Sequence, residues 1–200
     1  MPDMKVEQAK ARAASAAEQA DIEATAVLAS GRDRPLVKAL GKVSELGDQP
    51  PLFALGGAVL LFGLVRRSGR EVEAGLRMLA AEALATWLKG EVKTRIARTR
   101  PFQALDTGDY RAEADAPDGK HEQSFPSGHT ASAVAVAGAL APVYPQAAVP
   151  LYGLAAAIAG VQPLRAAHYL ADVAAGALIG AVSAVAVNGA ARAVKAALPR

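Results

Sequence analysis

The sequence predicts an all-α helical bundle, embedded in a membrane through about five apolar helices. The chain is 52% hydrophobic but only 4% aromatic, and Ala dominates. That is helix-forming material, with few of the alternating Val, Ile and Thr runs of strands. Four apolar segments have helical length, at about 51–65, 130–144, 147–162 and 169–189, and a fifth, at about 72–92, is apolar on one side only. The last is long enough to cross a bilayer, and the others lie near or below the ~17–25 residues that do so. A mean hydropathy of +0.19 is low for a membrane protein, so a soluble bundle with an Ala-rich core is the competing expectation.

Taken in order, residues 1 to about 30 are Ala-rich with interspersed charge (Lys5, Glu7, Lys10, Arg12, Glu18, Asp21, Glu23). No apolar run follows a basic start, so this is not read as a secretory signal; it predicts a solvent-facing or interfacial helix. A basic stretch follows (Arg32, Arg34, Lys38, Lys42), then a break at Gly47 to Pro51. The expected division is a charged N-terminal helical segment, 1–48, and a helical-bundle domain, 49–200. The fifth apolar segment carries Glu73, Arg77, Glu82 and Lys89. Residues Asp106 to Glu122 are polar, acidic and Gly/Pro-containing, which predicts a solvated loop rather than a metal site. No cysteine is present, which excludes disulfides and thiol catalysis. A net charge of +3 is too small to argue for nucleic acid.

Three short stretches carry the chemistry. In Lys93 to Pro101 (KTRIARTRP), Lys93 and Arg100 would share one helix face, and Pro101 disfavours helix at Arg100. Two such cations can clamp an oxyanion, although by itself this stretch is better explained as a solvated basic face that includes Arg95 and Arg98. Pro126-Ser127-Gly128-His129 precedes an apolar run. Pro and Ser suit a helix start, Gly admits close approach to the backbone, and the N–H groups of a first turn bind anions. A given four-letter word occurs by chance on the order of once per hundred thousand positions. His168 and Asp172 are four apart, so a helix would let the carboxylate hold the imidazole; the alternative is a surface pair at a helix end. Arg165 would lie one turn earlier. Tyr169, Leu170 and Val173 read as packing residues.

In this order the three stretches resemble the signature of the type-2 phosphatidic acid phosphatase superfamily, which includes lipid phosphate phosphatases, bacterial acid phosphatases and vanadium haloperoxidases. Lys93, Arg100 and Pro101 match its first motif, Pro126 to His129 its second, and His168 and Asp172 the latter half of its third. Val161 and Gln162 stand where that motif has Ser-Arg. The resemblance covers about half of the chain, from Lys93 onward.

The resemblance implies a helical bundle and a metal-independent phosphoric monoester or diphosphate hydrolase. It implies His168 as the nucleophile that becomes phosphohistidine, Asp172 as the group that orients it, and His129 as the general acid and base. Lys93, Arg100, Arg165 and the backbone N–H groups of Ser127 and Gly128 would hold the phosphate. Arg165 would stand in for the arginine missing at Gln162. No cofactor or metal is expected.

The implied substrate is a lipid phosphate or an isoprenoid diphosphate in a membrane. If the three motifs share one side, then Arg66, Arg67 and Arg70, the Tyr144 turn, and Arg192, Lys195 and Arg200 all fall on the other. That arrangement suits a bacterial inner membrane with the basic side cytoplasmic and the site outward. The family's membrane members have six helices, and the expectation here is that the first is missing or replaced by the charged N-terminal segment. Gly153, Gly160, Gly176 and Gly180 are candidates for close helix packing. Three alternatives stay open: a non-specific acid phosphatase that is soluble or faces the periplasm, a vanadate-dependent haloperoxidase, and a non-catalytic lipid-phosphate-binding protein.

Overall fold

A computed structural model describes residues 2–13, 15–114 and 123–197. The chain runs α1 (Pro2–Ala11), α2 (Ala16–Leu28), α3 (Pro35–Ser44), α4 (Gln49–Arg66), α5 (Gly69–Lys93), β1 (Ile96–Arg98), α6 (Pro101–Thr107), β2 (Ala112–Ala114), α7 (Gly128–Leu140), α8 (Ala148–Leu164) and α9 (Leu170–Ala197). The predicted all-α bundle is the observed one, and its five apolar helices are α4, α5, α7, α8 and α9. The loop expected over 106–122 is partly structured, because α6 reaches Thr107 and β2 pairs antiparallel with β1. The remainder of that expectation, 115–122, lies outside the described residues, as does Arg200.

Small residues set the helix packing. The central α7 contacts α4, α5, α8 and α9. Along α9, Gly176 faces the carbonyl of Ser127, and a Cβ at Gly180 would sit 2.5 Å from the Ala131 carbonyl. In the α4–α5 hairpin, a Cβ on Gly75 would lie 2.5 Å from Leu60 N, and one on Gly63 2.5 Å from Val72 N. Close approach of this kind gives dispersion contact without a solvent-driven term, which is how helices associate in lipid. Gly153 and Gly160, expected to do the same, face open space. The work falls instead to Gly63, Gly75 and Gly138.

Among the described residues, three helical stretches are long and apolar enough to cross a bilayer: Gln49–Arg66, Pro145–Leu164 and Leu170–Ala197. Their outer faces expose Leu61, Phe62, Val149, Leu154, Leu178 and Val185. So much contiguous apolar surface fits hydrocarbon rather than water, and the architecture is that of an integral membrane protein. The polar groups of α5 turn inward and find partners. Arg77 reaches Glu73 at 2.5 Å and Asn188 at 2.8 Å, and Ser132 donates to Glu82 at 2.7 Å.

The two ends of the bundle differ. At one, Arg70 donates to the Val143 carbonyl at 3.3 Å and lies 4.3 Å over the Tyr144 ring, while Lys195 meets Glu73 at 2.7 Å. The three sequence motifs gather at the other. The charged N-terminal segment is not a separate solvated helix, for it packs across the motif end. Ser15 caps α2 in a capping box with Glu18. Ala9 and Ile22 join Ala104, Tyr110 and Tyr169 in one buried cluster.

Candidate active site

α5 delivers two lysines. Lys93 is its last residue and donates to the Gln123 carbonyl at 3.0 Å. Lys89, one turn earlier, is buried, and a Cβ on Gly128 would lie 3.2 Å from its ammonium. Lys93 and Arg100 do not share a helix as expected. α5 stops at Lys93, β1 intervenes, and Arg100 is the extended N-cap residue of α6 (φ −69°, ψ 147°) with Pro101 at the first position. Proline's bar on helix at the preceding residue accounts for this. The two cations still converge, since Arg100 Nη2 lies 3.4 Å from the same Gln123 carbonyl. Burial and the neighbouring Arg165 push the Arg100 guanidinium below its usual range. Positive groups held this close to one another favour an anion between them.

Pro126 to His129 turn into α7 as predicted, with one change. Ser127 is the N-cap and its hydroxyl accepts from Thr130 N. Its own N–H is committed to the Asp172 carbonyl at 3.0 Å. The first-turn amides without a partner among the described residues are therefore those of Gly128 and His129, one position later than expected.

His168 is 2% exposed. It does not share a helix with Asp172: α8 ends at Leu164, Ala166 takes a left-handed conformation (φ 56°), and α9 begins at Leu170. The ring's Nδ1 lies 2.7 Å from the Ser124 carbonyl and 3.7 Å from Asp172 Oδ2. A carbonyl only accepts, so Nδ1 carries the proton and Nε2 keeps its lone pair. The Ser124 carbonyl, not the carboxylate expected from the spacing, makes the direct contact. Asp172 acts from one step away: its Oδ2 accepts from the Ser124 hydroxyl at 2.5 Å and from Tyr169 N at 2.8 Å. Burial first, and then Arg100 and Lys93, hold the His168 pKa below its ordinary value against the pull of Asp172.

The largest departure is Arg98, read from sequence as part of a solvated basic face. It is 6% exposed and fully engaged. Nη1 donates to Asp172 Oδ1 at 2.7 Å, Nη2 to Asp21 Oδ2 at 2.8 Å and Nε to Tyr110 Oη at 3.1 Å. Its guanidinium also lies 4.0 Å from the Tyr169 ring centre. Asp21, from α2, accepts from Ala171 N at 3.2 Å as well. The N-terminal segment thus reaches the residue beside the histidine.

Around His129 the structure adds Glu45. His129 Nε2 is 3.3 Å from Glu45 Oε2, and Arg165 binds the other oxygen of the same carboxylate. Arg165 Nη1 also donates to the Gly41 carbonyl at 3.1 Å. Burial works to raise the Glu45 carboxyl, but the hydrogen bond and charge of Arg165, with His129, outweigh it and hold the group below its usual range. Glu45, Asp48 and His129 bring oxygen and nitrogen atoms within 4.8 Å of one another; Arg165 already supplies that carboxylate with a cation. Gln162, where the family motif has arginine, is fully buried with its amide donating to the Ile158 carbonyl at 2.8 Å.

A helical bundle with apolar outer faces, and with cations and two imidazoles gathered at one end, is the architecture of an integral membrane protein whose polar end suits an anion. A model of the PAP2 superfamily matches residues 74–194, and the chain belongs to that family. Among solved structures, it is similar to a transmembrane PAP2-type phosphatidylglycerolphosphate phosphatase from Bacillus subtilis, at 20% identity and a TM-score of 0.63, over 96% of this chain and 94% of that one. It is also similar to LpxE of Aquifex aeolicus, at 24% identity and a TM-score of 0.57, over 84% of this chain and 93% of that one. A search of curated proteins finds no match.

Proposed function

We propose that the protein is a membrane phosphatase that hydrolyses a lipid phosphate or an isoprenoid diphosphate through a phosphohistidine on His168. The observation that carries this reading is the fixed tautomer of His168, with an Nε2 lone pair beside Lys93 and Arg100. Nε2 attacks phosphorus, and the bond to the lipid oxygen breaks as His129 Nε2–H protonates that oxygen. His129 then takes a proton from water. The water oxygen displaces His168, and inorganic phosphate leaves. Lys89, Lys93, Arg100 and the Gly128 and His129 amides stabilise the equatorial oxygens. Asp172, held by Arg98, stabilises the His168 cation. The 49–200 bundle carries the chemistry and the 1–48 segment buttresses it. None of these steps draws on a metal. The basic end, with Arg66, Arg67 and Arg70, suits the cytoplasm of a bacterial inner membrane and leaves the site facing outward.

The test is phosphate release by purified protein from phosphatidate, phosphatidylglycerol phosphate, undecaprenyl diphosphate and an aryl phosphate, with EDTA present. Turnover of one lipid substrate, undiminished by EDTA, is expected. Release from none of them sinks the reading.

Two variants probe individual roles. A general acid matters most when the leaving group is poor. His129→Ala should lose far more activity on an alkyl phosphate than on a nitrophenyl phosphate; equal losses would mean a binding role. Arg165, the proposed stand-in for the arginine missing at Gln162, would enter the cradle from the end of α8 rather than along a helix with His168. It has to leave Glu45 for the phosphate. Arg165→Ala should lower kcat/KM by roughly 10²-fold or more, as loss of one oxyanion donor does. Arg165→Lys should restore only part of it, because the fork is lost. Near-normal turnover by the alanine variant would remove Arg165 from the clamp.

A further inference from the structure

α3 presents three distinct faces. Gly41 and Ser44 are buried, and this face meets α8 and Arg165. A second face exposes Leu36, Leu40 and Val43 in one i, i+4, i+7 stripe, with Leu36 at 69% and Val43 at 58% exposure. A third carries Lys38 and Lys42, with Arg34 at the N-cap. The two nearby acids are already committed. Asp33 pairs with Lys38 at 3.0 Å, and Glu45 pairs with Arg165 and His129. Among the described residues Arg34 and Lys42 have no ion-pair partner.

Water does not suit the Leu36 stripe, and none of the described residues buries it. α4, whose outer face exposes Leu55, Leu61 and Phe62, begins five residues after α3 ends. α3 is therefore level with the edge of the apolar layer, at the end that holds the site. An apolar stripe flanked by uncompensated cations is the chemistry of a helix lying in a bilayer interface.

We propose that α3 is an interfacial helix: Leu36, Leu40 and Val43 seat among the acyl chains of the leaflet on the site side, and Lys42 and Arg34 bind anionic headgroups. The proposal rests on the membrane reading above. It gives α3 a consequence for catalysis. The helix carries Gly41 and leads into Glu45, the two partners of Arg165, so its seating holds the mouth of the site against the lipid surface. It also gathers anionic lipid where substrate must enter.

The chain has no cysteine, so single-cysteine variants of the full protein can be spin-labelled at one position each. The variants are Leu36→Cys, Lys42→Cys, and Leu61→Cys and Leu178→Cys as markers of the spanning helices. They are placed in phosphatidylcholine vesicles with or without phosphatidylglycerol. The label at position 36 should be reached by oxygen and shielded from a water-soluble relaxation agent, like the two markers. The label at position 42 should report headgroup depth. Arg34→Gln/Lys42→Gln should raise KM for vesicle-borne substrate in anionic vesicles by roughly fivefold per cation at low salt. Its kcat, and its turnover of a soluble aryl phosphate, should be unchanged.

A water-exposed label at position 36, with both markers in lipid, overturns the proposal and leaves the membrane reading intact. Water exposure of all three overturns both. Spin–spin broadening at position 36 would assign the stripe to a second copy of the chain, and an unchanged KM would remove the anionic headgroups. Either result also overturns the proposal.

Discussion

His168→Ala should lose at least about 10⁴-fold in phosphate release from any substrate the native protein cleaves, because the proposed covalent step needs its imidazole. Phosphate or vanadate still binds, since Lys93, Arg100 and the α7 amides are untouched. Rapid quenching of native enzyme with labelled substrate should trap phosphate that is stable to base and labile to acid, on His168. The same acid-labile phosphate at stoichiometric level on the His168→Ala protein would defeat the assignment. The pH profile adds a second check. Attack needs neutral imidazole, and burial beside cations lowers the His168 pKa. Protonation therefore silences the enzyme only below the value of about 6.5 of a free imidazole. An acid limb of kcat above that value would mean that the imidazole is not in the environment described.

Arg98→Ala is the second large effect, and it acts on stability and rate together. It leaves Asp172 and Asp21 buried without their cation. Removing one partner of a buried ion pair costs about 3–5 kcal/mol, so a large fall in thermal stability in detergent is expected. The rate should fall at least roughly 10²-fold, since Asp172 loses the arginine that sets its position beside His168. Asp21→Asn in the Arg98→Ala background should recover part of the stability, because one orphaned charge is gone. It should recover little of the rate, because Asp172 is still unsupported. Stability and rate both close to native in Arg98→Ala would return Arg98 to the solvated face where its sequence context put it.

The helices, and the polar residues that gather at one end of the bundle, are legible in the sequence. The five apolar segments have the length and composition of helices, and both properties are local. Pro126 to His129 announces a helix start with room for an anion, and Pro101 announces the end of helix before it. The family signature brings Lys93, Arg100, His129, His168 and Asp172 together and implies one phosphate site. The tertiary structure decides how they are held. The spacing of His168 and Asp172 suggests a helix turn, but α9 starts after the histidine, and the Ser124 carbonyl takes the Nδ1 proton.

The residues that sequence missed share one property. Arg98 is held by Asp172 and Asp21, 74 and 77 positions away, and Glu45 meets His129 across 84. Lys89 points at Gly128 from another helix. Helix length, apolar periodicity and capping follow from neighbours within a turn or two, so the chain alone determined them. Whether a charge is buried, and against what, depends on the group that the fold carries to it from far along the chain. A lone arginine in a basic stretch holds no record of that partner, because exposure is the usual state of arginine. Only the packing of α2 against β1 and α9 turned Arg98 from a surface cation into the support of the Asp172 carboxylate beside His168.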